Sequence, residues 1–155
     1  MDNWFQVQRL DIDRLLAEWR WLCPQPVTLL AKNAFGDLFL RDNAGRVLRL
    51  KVDVGKLSKV ADSEEQFLQL ATTPNNQEDW FAATDERNAA ARGLQPNSEE
   101  CIGFSIPIVF AESGRPNPPY VVNIYEHVSF LEDLNQQISE LPDGAKVQLH
   151  IKAKP

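Results

Sequence analysis

Two histidines and two cysteines are the side chains of this sequence best suited to proton transfer or nucleophilic attack near neutral pH, and none is spaced for either. A histidine becomes a general base only when a positioned partner orients it. His150 sits on the polar side of an alternating segment, where solvent is its simplest neighbour. His127 stands between an apolar run and Ser129, and the N-terminus of a helix there would favour its neutral form. Cys23 and Cys101 lie in unrelated contexts, with no CxxC and no Cys/His cluster, so no zinc spacing arises. The sequence contains no G-x-S-x-G, no H-E-x-x-H and no phosphate-cradling glycine loop. Asp42-Asn43-Ala44-Gly45 lacks the repeated oxygen ligands and the closing Glu of a calcium loop. The residues therefore predict no catalytic group, no metal and no cofactor; an enzyme with an unfamiliar site is the third-ranked reading.

Carboxylates and one tryptophan supply the candidates for binding. Asp62, Glu64 and Glu65 crowd one predicted helix start, and Glu78 and Asp79 crowd another. Acids there complement the helix dipole, for about 0.3–1 kcal/mol each. They would equally form a negative patch for a cationic partner. Trp80 is adjacent to Phe81, and neighbours on a helix cannot both face a core squarely. Trp80 is therefore either an exposed hot spot or one margin of a broad buried stripe.

The elements that must position these residues follow from composition and periodicity. At 155 residues, with 43% hydrophobic and 25% charged, the chain fits a single domain, with a helical lead-in over 1–25 and a core over about 27–152. Its net charge of −6 carries no Lys/Arg stripe, which argues against direct nucleic-acid binding. The N-terminus reads as no signal peptide, no apolar run is long enough for a membrane helix, and two unclustered, unbonded cysteines suit the cytoplasm. Ile12, Leu15, Leu16 and Trp19 predict a helix over 11–22. Strands follow over 27–32, 36–42 and 47–54, with a hairpin at 42–45. In the last strand Leu48, Leu50, Val52 and Val54 should be buried, with Arg49 and Lys51 wet. A helix over 62–72 opens on the Ser63/Gln66 capping box, and a second covers 76–92 before Gly93. Then come a strand over 101–110 with Pro107 at an edge or bulge, a loop over 111–119, and a strand over 120–125 buried on both faces. A helix over 129–141, capped by Ser129 and Glu132, carries the stripe Leu131, Leu134, Ile138 and Leu141, and a last strand covers 147–151. This order predicts an α+β fold, a mostly antiparallel sheet with about three to four helices packed on it.

Several segments, in order, resemble a bacterial domain family long catalogued without a function and named after the C-terminal domain of a type VI secretion DNase-immunity protein. They are residues 33–39 (NAFGDLF), 55–57 (GKL), 60–67 (VADSEEQF), 79–81 (DWF), 100–104 (ECIGF) with Ile106-Pro107, 126–130 (EHVSF) and 141–144 (LPDG). Longer members carry a further domain before this one, for which residues 1–25 are too few. The family's usual glycine pair after Ile-Pro is replaced here by Phe110-Ala111-Glu112-Ser113-Gly114. The resemblance implies a cytoplasmic immunity protein that neutralises a secreted toxin, such as a nuclease, by occlusion and without chemistry of its own. On that reading Asp62, Glu64, Glu65, Glu78, Asp79 and Trp80 are the partner-binding candidates. The alternative is a structural or regulatory interaction module with a non-toxin partner, including a second copy of the chain; the sequence does not set the oligomeric state.

Overall fold

Closely spaced strand-forming segments joined by tight turns can pair only with their sequence neighbours, and residues 28–61 do so. In the computed structural model, which describes residues 2–107, 110, 116–139 and 141, β1 (Thr28–Lys32), β2 (Leu38–Arg41), β3 (Val47–Lys51) and β4 (Lys56–Ala61) form an antiparallel meander in chain order. The β2–β3 turn is the anticipated hairpin: Asp42 Oδ1 accepts from the Ala44 and Arg46 amides, and Gly45 takes φ +87°. The β1–β2 turn works the same way, with Asn33 Oδ1 accepting from the Phe35 and Asp37 amides. β3 ends at Lys51 rather than at residue 54, and β4 is an added strand. Its weak alternation is that of an edge strand, paired on one side and half exposed. A second, two-stranded sheet pairs β5 (Glu100–Phe104) with β6 (Pro119–Asn123). β6 is not buried on both faces as its composition suggests. It lies at the open side of a ribbon, and Tyr120 is exposed.

The helices differ from their sequence pattern in instructive ways. The lead-in is a 3₁₀ turn (Asp2–Phe5) and one turn of helix, α1 (Ile12–Leu15), followed by further turns that still bury Leu16 and Trp19. α2 (Glu64–Leu70) starts at Ser63, whose Oγ accepts from the Gln66 amide, while the Gln66 side chain accepts from the Asp62 amide. The predicted helix over 76–92 is two helices, α3 (Pro74–Phe81) and α4 (Ala83–Ala91), broken at Ala82 with φ +48°. α5 (Ile124–Ile138) begins five residues before Ser129. Asn123 caps it, accepting from the Tyr125 and Glu126 amides, while Ser129 donates to Glu18 from inside the helix. Ile124, Val128, Leu131 and Leu134 make its buried stripe; Leu141 lies beyond it and is exposed. The predicted turn at 142–144, the strand at 147–151 and most of the loop at 111–119 lie outside the described residues.

The meander has both faces covered, so the fold is α+β with a central sheet. One face carries Leu38, Leu40, Leu50 and Val52 against Trp19 and the stripe of α5. Three long-range bonds latch the lead-in there: Asp11 N to the Tyr125 hydroxyl, Trp19 Nε1 to the Val128 carbonyl, and Trp21 Nε1 to Glu132. The other face carries Ala31, Phe39 and Val47 against Trp4, Phe67, Trp80 and Phe81. Leu48, Leu50 and Val52 are buried as the alternation requires, while Val54 and Lys51 are half-buried. Arg49, expected in water, is 7% exposed, because the side it faces lies under the α2–α3 layer. Its guanidinium donates to Asp37 Oδ2 at 2.9 and 3.3 Å and reaches Asp79 at 3.5 Å.

Two measurements check this arrangement. Leu134→Ala removes a fully buried side chain from α5 and should cost about 2–5 kcal/mol in urea unfolding, whereas a peripheral helix would lose far less. Arg49→Met leaves Asp37 as an unpaired buried carboxylate and should cost about 3–5 kcal/mol, with part of the loss recovered in the Asp37→Asn, Arg49→Met double variant. Strict additivity of the two changes would show that the pair is not coupled.

Candidate functional site

The carboxylates singled out in the sequence fall into two groups held by different means. Asp62 and Glu65 are exposed around the N-terminus of α2 and Glu64 is half exposed there, a site where the dipole favours anions. Asp62 pairs with Lys59 at 2.6 Å, which holds its carboxyl below the usual range. Glu64 pairs with Arg41 at 2.6 Å, and Glu65 has no ion pair among the described residues. Glu78 and Asp79 do not crowd a helix start. They lie near the C-terminus of α3, where the dipole disfavours them, and each is held by another element. Glu78 accepts from the Thr84 hydroxyl at 2.6 Å and from its amide, closing the start of α4, and the hydroxyl bond is the main reason its carboxyl is held low. Asp79 faces Arg49.

Trp80 does not belong to this surface. It is 5% exposed and stacks on Phe67 at 5.4 Å, while Phe81 stacks on Trp4 at 4.2 Å. The two neighbours are both buried because the chain turns at Ala82 and because Phe39 fills the space between them from the sheet. Asn33 Nδ2 donates to the Trp80 carbonyl, tying this corner to the β1–β2 turn.

Of the groups with chemical potential, the two thiols are sealed and His127 is half-buried. Cys23 and Cys101 are free and buried, and burial pushes their thiols up to about 11 and about 12. Both are protonated at neutral pH and poor nucleophiles. His127 is in the first turn of α5, with its ring between the backbones of Gly36 and Gly103. A Cβ at either glycine would come within 3.1–3.2 Å of that ring, and Gly36 also holds φ +97°. The ring borders a void of about 40 Å³ shared with Phe35, Phe104 and Tyr120. Burial lowers its pKa to about 4, opposed in part by the Phe35 backbone, so desolvation rather than the helix terminus keeps it neutral. His150 lies outside the described residues. Among the described residues no group of three or more His, Cys, Asp or Glu is gathered to hold a metal, and no helix is long and apolar enough to cross a membrane.

One feature had no sequence signal. A cleft of about 500 Å³ opens between the 3₁₀ turn, the end of β1 and α4, and Lys32 lines it. In the sequence Lys32 is one more polar position on an amphipathic strand; only the approach of α4 buries it. The chain matches no protein-family model and no curated protein.

The half-buried imidazole sets a pH dependence with a definite sign. An unfolded His127 takes up a proton as pH falls through about 6.5, whereas the folded one resists until about 4. Its contribution to stability is complete above pH 6.5 and is lost progressively as pH falls toward 4. The stability gap between the wild type and His127→Gln should therefore narrow on acidification, by up to about 1.4 kcal/mol per pH unit, in unfolding measured from pH 7 to 4.5. A gap constant with pH would mean that the ring is hydrated in the fold.

Proposed function

We propose that this chain is a non-enzymatic binding protein of the immunity type, which neutralises a cognate secreted toxin by covering its working surface. The observation that carries this reading is the carboxylate group at the β4–α2 junction. Asp62, Glu64 and Glu65 follow one another on a rigid helix start, two of them fixed by Lys59 and Arg41 and Glu65 without an ion pair among the described residues. With a net charge of −6, such a surface speeds encounter with a basic partner, and a nuclease that grips phosphate is basic where it works. The ordered segments that resemble the immunity family favour the same reading. The protonated thiols and desolvated imidazole agree with a protein whose surface, rather than a nucleophile, does the work. Cytoplasmic residence belongs to this proposal, since a toxin acting on DNA must be met there.

Co-expression with a candidate toxin from a gene adjacent to this one, scored by cell survival, and association kinetics with that purified candidate test it together. Glu64→Lys with Glu65→Lys should slow association at about 0.1 M salt and lose most of that effect near 1 M, where the Debye length falls to about 3 Å. The exposed Glu64–Arg41 pair is worth only about 0–1 kcal/mol, so the fold should survive the change. His127→Gln should protect cells as the wild type does. Loss of protection by a still-folded His127→Gln would argue for chemistry, and a chain that binds no neighbouring toxin would favour the interaction-module reading.

A further inference from the structure

We infer that the cleft beside α4 is a binding site for a small molecule with an anionic head and an apolar body, and that Lys32 is the residue that receives the head. This does not depend on the toxin reading.

Lys32 is the last residue of β1 and is 5% exposed. A buried ammonium without a partner is costly, and folds normally pair it. This chain follows that rule with Arg49, its other buried cation, which is paired to Asp37 at 2.9 Å. Lys32 has no ion pair among the described residues. The cleft does contain a carboxylate, Glu86, near enough to favour the charged form of Lys32, but its Oε2 accepts from the Trp4 indole nitrogen at 2.8 Å and it makes no ion pair with Lys32. No side-chain nitrogen or oxygen sealed from solvent lacks a partner among the described residues, so the Lys32 nitrogen keeps its access through the cleft. A buried lysine that lines a cleft without a direct ion pair among the described residues is a complement for an anion.

The walls say what the rest of the ligand is. Trp4, Ala83, Ala90, Leu94 and Pro96 present apolar surface around the opening. The Trp4 wall is stiff, because its ring lies on Phe81 with 8° between the planes. Two of the four amides lining the cleft are engaged, Asn33 donating to the Trp80 carbonyl and Gln77 to the Ala71 carbonyl, which leaves Asn3 and Gln95 as further polar contacts for a ligand. Lys32 is the buried charge of the lining, while Arg87, the other cation there, is exposed and turned toward Thr84 and Glu78; a buried cation beside apolar surface, in a cleft of about 500 Å³, matches the usual make-up of small-molecule sites. Carboxylate and phosphate heads share this chemistry, since an ammonium is a point charge that accepts either.

The test uses the full chain, ¹⁵N-labelled, titrated at constant ionic strength with benzoate and, separately, with inorganic phosphate. The Trp4 indole N–H resonance should shift and saturate with benzoate, and the melting temperature should rise with it. A stronger response to phosphate would assign the head as a phosphate and still support the site. Lys32→Met should weaken binding about tenfold or more, the worth of one charge-assisted bond. Without ligand it should melt no lower than the wild type, because a buried charge that has no direct ion pair has been removed. Ala90→Phe keeps Lys32 and fills the cleft, and it should also weaken binding, which serves if Lys32→Met does not fold. No saturable shift with either probe, or binding unaffected by both substitutions, would overturn the proposal.

Discussion

A sheet covered on both faces has no wet side for the polar half of an alternating strand, and in this protein that constraint falls on Arg49. Its neighbours in β3, Leu48 and Leu50, face the α5 layer; Arg49 faces Phe39 and the α2–α3 layer. A guanidinium can be taken there only with its hydrogen bonds made and its charge balanced. Asp37 does both. It is itself buried, and its Oδ1 accepts from the Val52 amide while its Oδ2 receives Arg49. Burial and nearby Asp53 push the Asp37 carboxyl up to about 6, against the pull of Arg49, so the pair is ionised at neutral pH and sensitive to acid. The third member, Asp79, comes from α3, so one cation joins the β1–β2 turn, the sheet and the helical layer.

The helical layer depends on that anchorage. Phe39, Phe67, Trp80 and Phe81 form one aromatic cluster with Trp4 across it. Closing the cluster requires α3 to stop at Phe81 and α4 to leave in a new direction, which Ala82 allows by adopting a left-handed conformation that alanine ordinarily avoids. Glu78 helps hold the new direction through Thr84. The same departure places α4 opposite the end of β1 and so creates the cleft that contains Lys32. The aromatic core and the cleft are thus two consequences of one packing solution.

Much of the fold can be read from residue pattern alone, because the patterns concerned are local. The hairpin at Asp42–Gly45, the Ser63/Gln66 cap, the α5 stripe through Leu131 and Leu134, and the inward set Leu48, Leu50 and Val52 each rest on interactions between residues close in the chain. So does the α+β class. The acids around the start of α2 were legible for the same reason, since carboxylates at a helix N-terminus announce themselves by position.

What only the tertiary structure decided is which polar residues go inside. Arg49 and Lys32 have the sequence signature of solvent-facing strand positions, yet both are buried, one paired and one without an ion pair among the described residues. Trp80 reads either as a surface candidate or as the margin of a buried stripe, and it is core, through a helix break that no glycine or proline marks. Asn123 displaces Ser129 as the cap of α5 because the apolar run before it turns inward onto the sheet instead of extending β6. In each case the deciding partner is distant in sequence: Asp37 for Arg49, Phe67 for Trp80, and the core face of the sheet for Ile124. Period and propensity say which residues share a side of an element, but a second layer arriving on that side determines whether it meets water.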